Sequence, residues 1–424
     1  MDKRNFLKAG TLLGLGTLVN SKGIGRNIDM SWNDDHQMNW METDETRFWE
    51  NIRKMYDLKP DYINLENGYY CIQPKPILEA FQKHVAEVNL QGAYYMRTVQ
   101  YDNKKRVAAK LAELAGCSND ELIITRNTTE SLDMIIAGLD WKEGDEAVMA
   151  DQDYGAMLDM FKQISRRFGV VNKMISVPNH PKSDEEIVAL YENAITPKTK
   201  LLMLCHMINI TGQILPVRKI CDMARKKGVL VMVDGAHAFA HFQYKISELN
   251  CDFYGCSLHK WLSNPLGAGF LYVRKEHVSK VWPLFAESEM DRNDIYRLNH
   301  TGTIPVHTDL AIENAIDFYL KLGADRKEKR LRYLQQYWTE KVRAFPKVIL
   351  NTPAEQQRAC AIANVGVEGL KPSQLADMLL KKYGIYTVAI DGKGVHGVRI
   401  TPNIYTRTSE LDALVKALKE IAGV

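Results

Sequence analysis

The residues of this chain best suited to chemistry lie between Val229 and Arg274, in VLVMVDGAHAFAHFQYKISELNCDFYGCSLHKWLSNPLGAGFLYVR. Val229 to Val233 is an uninterrupted apolar run, short enough for a fully buried strand, and it stops at Asp234-Gly235. A carboxylate at the carboxyl end of such a strand borders the crevice where open parallel α/β sheets bind their ligands. Ser257-Leu258-His259-Lys260 comes next, followed by a glycine-bearing turn and a second apolar strand, Gly269 to Val273. An amine and a buried carboxylate at one sheet edge suit pyridoxal phosphate. A lysine holds that cofactor as a Schiff base, and an anionic partner keeps its ring nitrogen protonated, which strengthens the ring as an electron sink. Lys260 and Asp234 fill those roles, with Ser257 and His259 flanking the lysine.

The cofactor's phosphate needs its own seat. Leu122 to Thr125 reads as a strand, and Arg126-Asn127-Thr128-Thr129-Glu130 then opens an apolar-periodic helix running through Leu139. A helix that begins with hydroxyl residues presents free backbone N–H groups and a positive dipole end to a dianion. Further on, His237-Ala-Phe-Ala-His241 admits a rival chemistry. Two histidines four apart on a helix share a face, as in zinc hydrolases, but Ala238-Phe239-Ala240 supplies no glutamate base between them.

Taken together, these motifs resemble the class V aminotransferases of the fold-type I pyridoxal phosphate enzymes. The run HKWLSNPLGAGFLYV is most similar to the isopenicillin N epimerase-like branch, and the similarity extends from about Asn64 to the C-terminus. The resemblance implies that Thr128 and Thr129 bind the phosphate and that the ring of Tyr154 covers the pyridine face. It further implies that Asn209 and His237 contact the ring oxygen, which leaves His241 structural. The loop carrying Asn67 would reach the substrate, and Arg399, in VRITPNIYT, would hold its carboxylate with a bidentate guanidinium. The Gly302-Thr303 loop would touch the phosphate of a neighbouring subunit, so the expected assembly is a homodimer. Tyr94 and Arg97, beside Gly92, are candidates for the pocket wall, Arg97 for an acidic substrate group.

The resemblance leaves the reaction among transamination, epimerisation and β-elimination at an amino acid's α-carbon, with His206, Tyr94 and His300 as candidate groups for the second face. Desulfurases of this superfamily need a mobile cysteine just before the Arg399 region, and Tyr386 to Val398 contains none.

Composition narrows the partners. A net charge of +3 over 424 residues carries no footprint for nucleic acid, and no apolar run reaches the ~18 residues of a membrane span. Seven cysteines form no C-x-x-C pair and read as buried thiols. Lys3-Arg4-Asn5-Phe6-Leu7-Lys8, followed by the mildly apolar Ala9 to Val19, resembles a twin-arginine signal with Lys in the first position. Export to the periplasm is the expectation, with a cytoplasmic enzyme bearing an N-terminal extension as the alternative.

Strands alternating with helices must position these residues, which predicts a mainly parallel sheet covered on both faces. Besides those named, Ala147 to Ala150 and Leu201 to Cys205 read as strands, and Pro76 to Val88, Lys104 to Ala115 and Met157 to Phe168 as helices. The expected organisation is a leader over 1–27, an N-terminal arm over 28–90, a large cofactor-binding domain over 91–307, and connecting helices with a smaller α+β domain over 308–424.

Overall fold

Seven strands of the large sheet set the frame of the site. In the computed structural model, which describes residues 38–287 and 290–424, β1 is the short strand Ile63–Asn64. The large sheet is built from β2 (Leu122–Thr125), β3 (Glu146–Ala150), β4 (Val171–Ile175), β5 (Thr199–Cys205), β6 (Leu230–Asp234), β7 (Phe253–Ser257) and β8 (Gly269–Val273). Their order is β2-β8-β7-β6-β5-β3-β4. Only β8 runs against the rest, pairing antiparallel with β7 and β2. The leader read as an export signal lies outside the described residues.

The central strands are apolar throughout because both faces are covered. On one face Met149, Leu201, Met203, Met232, Phe253 and Leu271 pack against Leu132, Ile135 and Ile136 of the helix Thr128–Gly138 and against Met157, Phe161 and Ile164 of Gly155–Phe168. Side chains of this size stabilise by about 1.5–3 kcal/mol each when fully buried. The edge strand β4, VNKMI, is largely solvated and carries polar residues accordingly.

A second core belongs to the small antiparallel sheet, formed by β9 (Val348–Leu350), β10 (Ala363–Val367), β12 (Val388–Gly392) and β13 (Val395–Ile400) in the order β12-β13-β10-β9. Helices Ala324–Val342, Pro372–Tyr383 and Thr408–Ala422 close over it with Trp338, Leu379, Leu411 and Leu414. The chain's early segment joins this half: β1 pairs in parallel with β11 (Ile385–Tyr386), and Glu66 bridges to Thr401. The helix Glu45–Lys54, capped by Asp44, is tied to the same half by the fork of Arg53 on Glu410, both contacts at 2.9 Å. Within the arm expected over 28–90, Ile63–Asn64 thus forms a two-stranded sheet with Ile385–Tyr386, and the helix Lys75–Gln91 follows it.

The two cores meet at the turn after β5. Gly212 has φ +77, and a Cβ there would lie 2.1 Å from the carbonyl oxygen of Ile362, just ahead of β10. Thr352 Oγ1 donates to the Thr211 carbonyl at 2.6 Å alongside. Gly212→Ala combines left-handed strain with a backbone clash. It is expected to destabilise the fold by about 2–4 kcal/mol, read as a lowered midpoint in denaturant or heat; a variant as stable as the parent would show that the turn moves freely.

Candidate active site

Because β8 alone is reversed, the carboxyl ends of β2, β3, β5, β6 and β7 open on one edge of the sheet. Each delivers part of one constellation: Asn127 and Thr128 after β2, Asp153 and Tyr154 after β3, His206 to Asn209 after β5, Asp234 to His237 at β6, and Ser257 to Lys260 at β7. Asp234 stands mid-sheet, in register with Cys205 on one side and Gly255 on the other, and is buried for that reason.

Lys260 and Asp234 govern each other's charge. Burial drives the Asp234 carboxyl above the usual range, while the lysine charge and the Ala236 N–H, donating at 2.9 Å, draw it back. Burial lowers the Lys260 amine, Asp234 opposes the shift, and Arg399 adds to it. Lys260 Nζ lies 3.1 Å from His237 Nε2. Burial holds His237 neutral, well below its ordinary value, helped by the nearby Lys260 charge, and its Nδ1 has no partner among the described residues. His259 is likewise pushed down to about 4 by burial, its Nδ1 also unpartnered.

At the start of the helix Thr128–Gly138, Asn127 is the cap, accepting the Glu130 N–H at 2.9 Å. Ser257 Oγ accepts the Thr128 N–H at 2.9 Å and lies 2.7 Å from Thr128 Oγ1, which joins the helix start to the Lys260 strand. Thr129 is half-buried beside it. An amine, a buried carboxylate, one buried and one half-buried imidazole each with an unsatisfied ring nitrogen, and a helix N-terminus thus converge on one edge. That donor set fits pyridoxal phosphate: an anion at Thr128, Thr129, Ser257 and His259, and an aromatic ring between Asp234, His237 and the partly exposed Tyr154.

Arg399, on β13, reaches this edge from the small sheet. Its Nε and Nη2 donate to the two carboxylate oxygens of Glu66 at 3.1 and 2.5 Å, and Nη1 donates to the Asn209 carbonyl at 3.3 Å. Glu66 was not among the residues singled out from sequence; its partner lies at the far end of the chain, and only the acid in NLENGYY hints at it. Asn67, expected at the substrate, uses its amide internally: Nδ2 donates to the Thr401 carbonyl at 2.8 Å, and Oδ1 accepts the Tyr405 hydroxyl at 2.7 Å. Asp153 was also missed. Its two oxygens accept the Ala150 and Cys205 N–H groups at 2.8 and 3.1 Å, fixing β3 to β5, and burial pushes its carboxyl up to about 7.

Other expected residues stay apart from Lys260 within the chain. Tyr94 and Arg97 are exposed on the helix Ala93–Thr98, whose buried side chain is Tyr95. His300, Gly302 and Thr303 are exposed as well, with Gly302 at φ +78. His206 is packed edge-on against the rings of Phe242, Tyr244 and Tyr254, while its backbone N–H donates to the Asp234 carbonyl at 2.8 Å. Its imidazole is thus enclosed by aromatic rings, and its backbone is laddered to that of Asp234.

The zinc reading fails on geometry. His237 to His241 is a run of turns with Ala240 at φ +58, not a helix, so the two rings share no face. His241 Nδ1 donates to the His237 carbonyl at 2.7 Å, Nε2 accepts the Ala361 N–H at 3.0 Å, and the ring stacks on Trp261. Among the described residues no three acidic, histidine or cysteine side chains are grouped for a metal.

Comparison with known proteins agrees with this constellation. The family model described as "Aminotransferase class-V" matches residues 71–414. The isopenicillin N epimerase of Amycolatopsis lactamdurans is 27% identical over 398 residues, covering 88% of this chain and 98% of its own. The cysteine desulfurase of Thermococcus onnurineus NA1 superposes with a TM-score of 0.78 at 21% identity, over 88% of this chain and 98% of its own. A C-DES variant solved with glycine covalently linked to its PLP cofactor superposes at 0.79 with 20% identity, over 87% and 99%.

Burial pushes His206 down to about 3, and that shift sets a pH dependence. In the unfolded chain this imidazole takes up a proton below about pH 6.5, whereas the folded protein refuses it until about pH 3. The unfolded state then binds more protons, so His206 reduces stability as pH falls through that window and has no such effect above it. His206→Phe is expected to flatten the dependence of unfolding free energy on pH by up to one proton between pH 4 and 6, measured by denaturant titration at several pH values. Coincident slopes for parent and variant would show that His206 is charged in the folded protein.

Proposed function

The chain belongs to the class-V aminotransferase family, and from that premise we propose that it is a pyridoxal phosphate enzyme acting at the α-carbon of an amino acid, or of a larger molecule that carries one, with Lys260 holding the cofactor. The observation that carries this reading is the half-buried Lys260 amine set against the buried Asp234 carboxyl at the carboxyl edge of the sheet, each drawing the other toward its charged form. The cofactor supplies an electron sink that weakens the bonds at the α-carbon.

The chain's own residues supply the rest. Thr128, Thr129, Ser257 and His259 would hold the phosphate, Asp234 would serve as the anionic partner of the ring nitrogen, Asn209 and His237 would bind the ring oxygen, and Tyr154 would cover the ring. Lys260, its amine held below the usual lysine range by desolvation, is the base for the α-proton. The N–H groups of Arg399 not engaged by Glu66 and Asn209 are turned to the substrate. The reading is of aminotransferase or epimerase type, in keeping with the epimerase relative. β-Elimination at the same amino acid is the runner-up, distinguished by release of the β-substituent and of ammonia with the keto acid, whereas transamination passes the amino group to a second keto acid. Persulfide chemistry is disfavoured because the β12–β13 hairpin carries no cysteine.

The protein purified with its cofactor is expected to absorb in the visible, and borohydride should fix the cofactor's mass on the peptide containing Lys260. Lys260→Ala should lose that covalent attachment and keep the fold, since one bond to the cofactor is removed and no core. Attachment elsewhere, or undiminished attachment in the variant, ends the assignment.

Asp234→Asn is expected to retain cofactor yet lose turnover on the order of 100-fold or more, the ring having lost its anionic partner. Activity within a few fold of the parent would make Asp234 a structural residue.

A further inference from the structure

Arg399 meets the site with most of its binding capacity already committed. Of the five N–H donors of a guanidinium, one on Nε and one on Nη2 go to Glu66, and one on Nη1 goes to the Asn209 carbonyl. Two remain. Its charge is matched as well, because Glu66 grips it bidentately and the two side chains are only 4 and 6% exposed.

The pair is built to stay. Glu66 Oε1 also accepts the Tyr69 N–H at 2.9 Å, and the Glu66 N–H donates to Asn64 Oδ1 at 3.1 Å. The next two N–H groups, of Asn67 and Gly68, both donate to Thr401 Oγ1, at 2.5 and 3.1 Å. Gly68 lies so close to the guanidinium that a Cβ would fall 2.8 Å from Cζ, so the loop backbone itself packs on the charged plane. Releasing Glu66 would leave a carboxylate and a guanidinium buried and unpaired.

We propose that Glu66 sets the substrate class at this end of the site. It converts a subsite that would demand a free carboxylate into one that accepts a neutral carbonyl nearly as well. A free guanidinium offering two charge-assisted hydrogen bonds prefers a carboxylate to its amide by on the order of 100-fold. Here an entering carboxylate meets a neutral pair, and its own charge is opposed by Glu66. An amide oxygen takes the same two donors without that repulsion. The amino compounds handled therefore include ones whose α-carboxyl is capped as an amide or peptide bond. The inference rests on the reading of Lys260 given above.

The test uses the holoenzyme and matched probes, L-alanine with L-alaninamide and L-phenylalanine with L-phenylalaninamide, each counted as free amine at one pH. The half-maximal concentration for change in the cofactor's visible absorption is read for each. Acid and amide are expected to agree within about tenfold; a larger preference for the acid overturns the proposal. In Glu66→Gln the acid-to-amide preference should rise by at least about tenfold, while Glu66→Asp, which keeps the charge, should stay near the parent. An unmoved ratio in a folded Glu66→Gln protein overturns the role of Glu66. If that variant does not fold, the parent ratio and Glu66→Asp decide. Should no amine of either kind move the absorption, the Lys260 reading itself falls and takes this one with it; a response to acids but not to amides removes this one alone.

Discussion

A half-buried lysine whose charge is coupled to a buried aspartate is the constraint on which the rest of this structure depends. Either group alone, taken out of water at mid-sheet, would give up its charge, because desolvation of a single ion is costly and nothing offsets it. Together they hold each other toward the charged form, and the surrounding elements serve to keep them close. The parallel arrangement of β5, β6 and β7 puts Asp234 at the sheet's centre and Lys260 on the loop beyond its neighbour. The aromatic packing of His206 with Tyr244 and Tyr254 stiffens the layer behind the carboxylate, and Asp153 ties the β3 and β5 ends to one another.

The second half of the molecule contributes through one side chain and one loop. Arg399 projects from β13, and the loop from Asn64 to Tyr69 folds over it, held by Thr401 and Tyr405. This arrangement winds the early chain and the C-terminal sheet together: the N–H groups of Asn67 and Gly68 both donate to Thr401 Oγ1, and the Asn67 side chain is held by the Thr401 carbonyl and the Tyr405 hydroxyl. Positioning of Arg399 thus depends on contacts more than three hundred residues apart in sequence.

That separation also marks where sequence reading stops. Short apolar runs bounded by glycine or aspartate identified β2, β3, β5, β6 and β8 almost to the residue, because burial on both faces removes polar choices from such strands. The helices read over 104–115 and 157–168 were legible from their periodicity and begin a few residues earlier in the structure, at Gln100 and Gly155. β4 was not, since VNKMI is an exposed edge, and β12 was not, since VAIDG alternates without a clear apolar face. At the site, Asp234, Lys260, Ser257 and Thr128 were legible because each sits beside a strand or helix signal. Glu66 was not, because a buried ion pair leaves no local pattern. The spacing of His237 and His241 misled for a related reason: four residues apart implies a shared face only on a helix, and positive φ at Ala240 turns the chain away.

The cysteines bear on which chemistry the site can perform. All seven carry thiols that burial raises above their ordinary range, Cys71, Cys117, Cys251 and Cys360 to about 12, with Cys205, Cys221 and Cys256 raised as well. A sulfur nucleophile must be a thiolate on a segment that can approach the substrate. Cys205 and Cys256 do lie beside the site, but in strands whose backbones are locked in register, with Asp153 and Asp234 adding negative charge near them. Cys71 is held with its thiol donating to the Asn67 carbonyl at 3.2 Å. On the reading proposed above, with His237 given to the cofactor's ring oxygen, the group left to act at the substrate is a nitrogen base, the Lys260 amine, and a base of that kind would move protons at carbon.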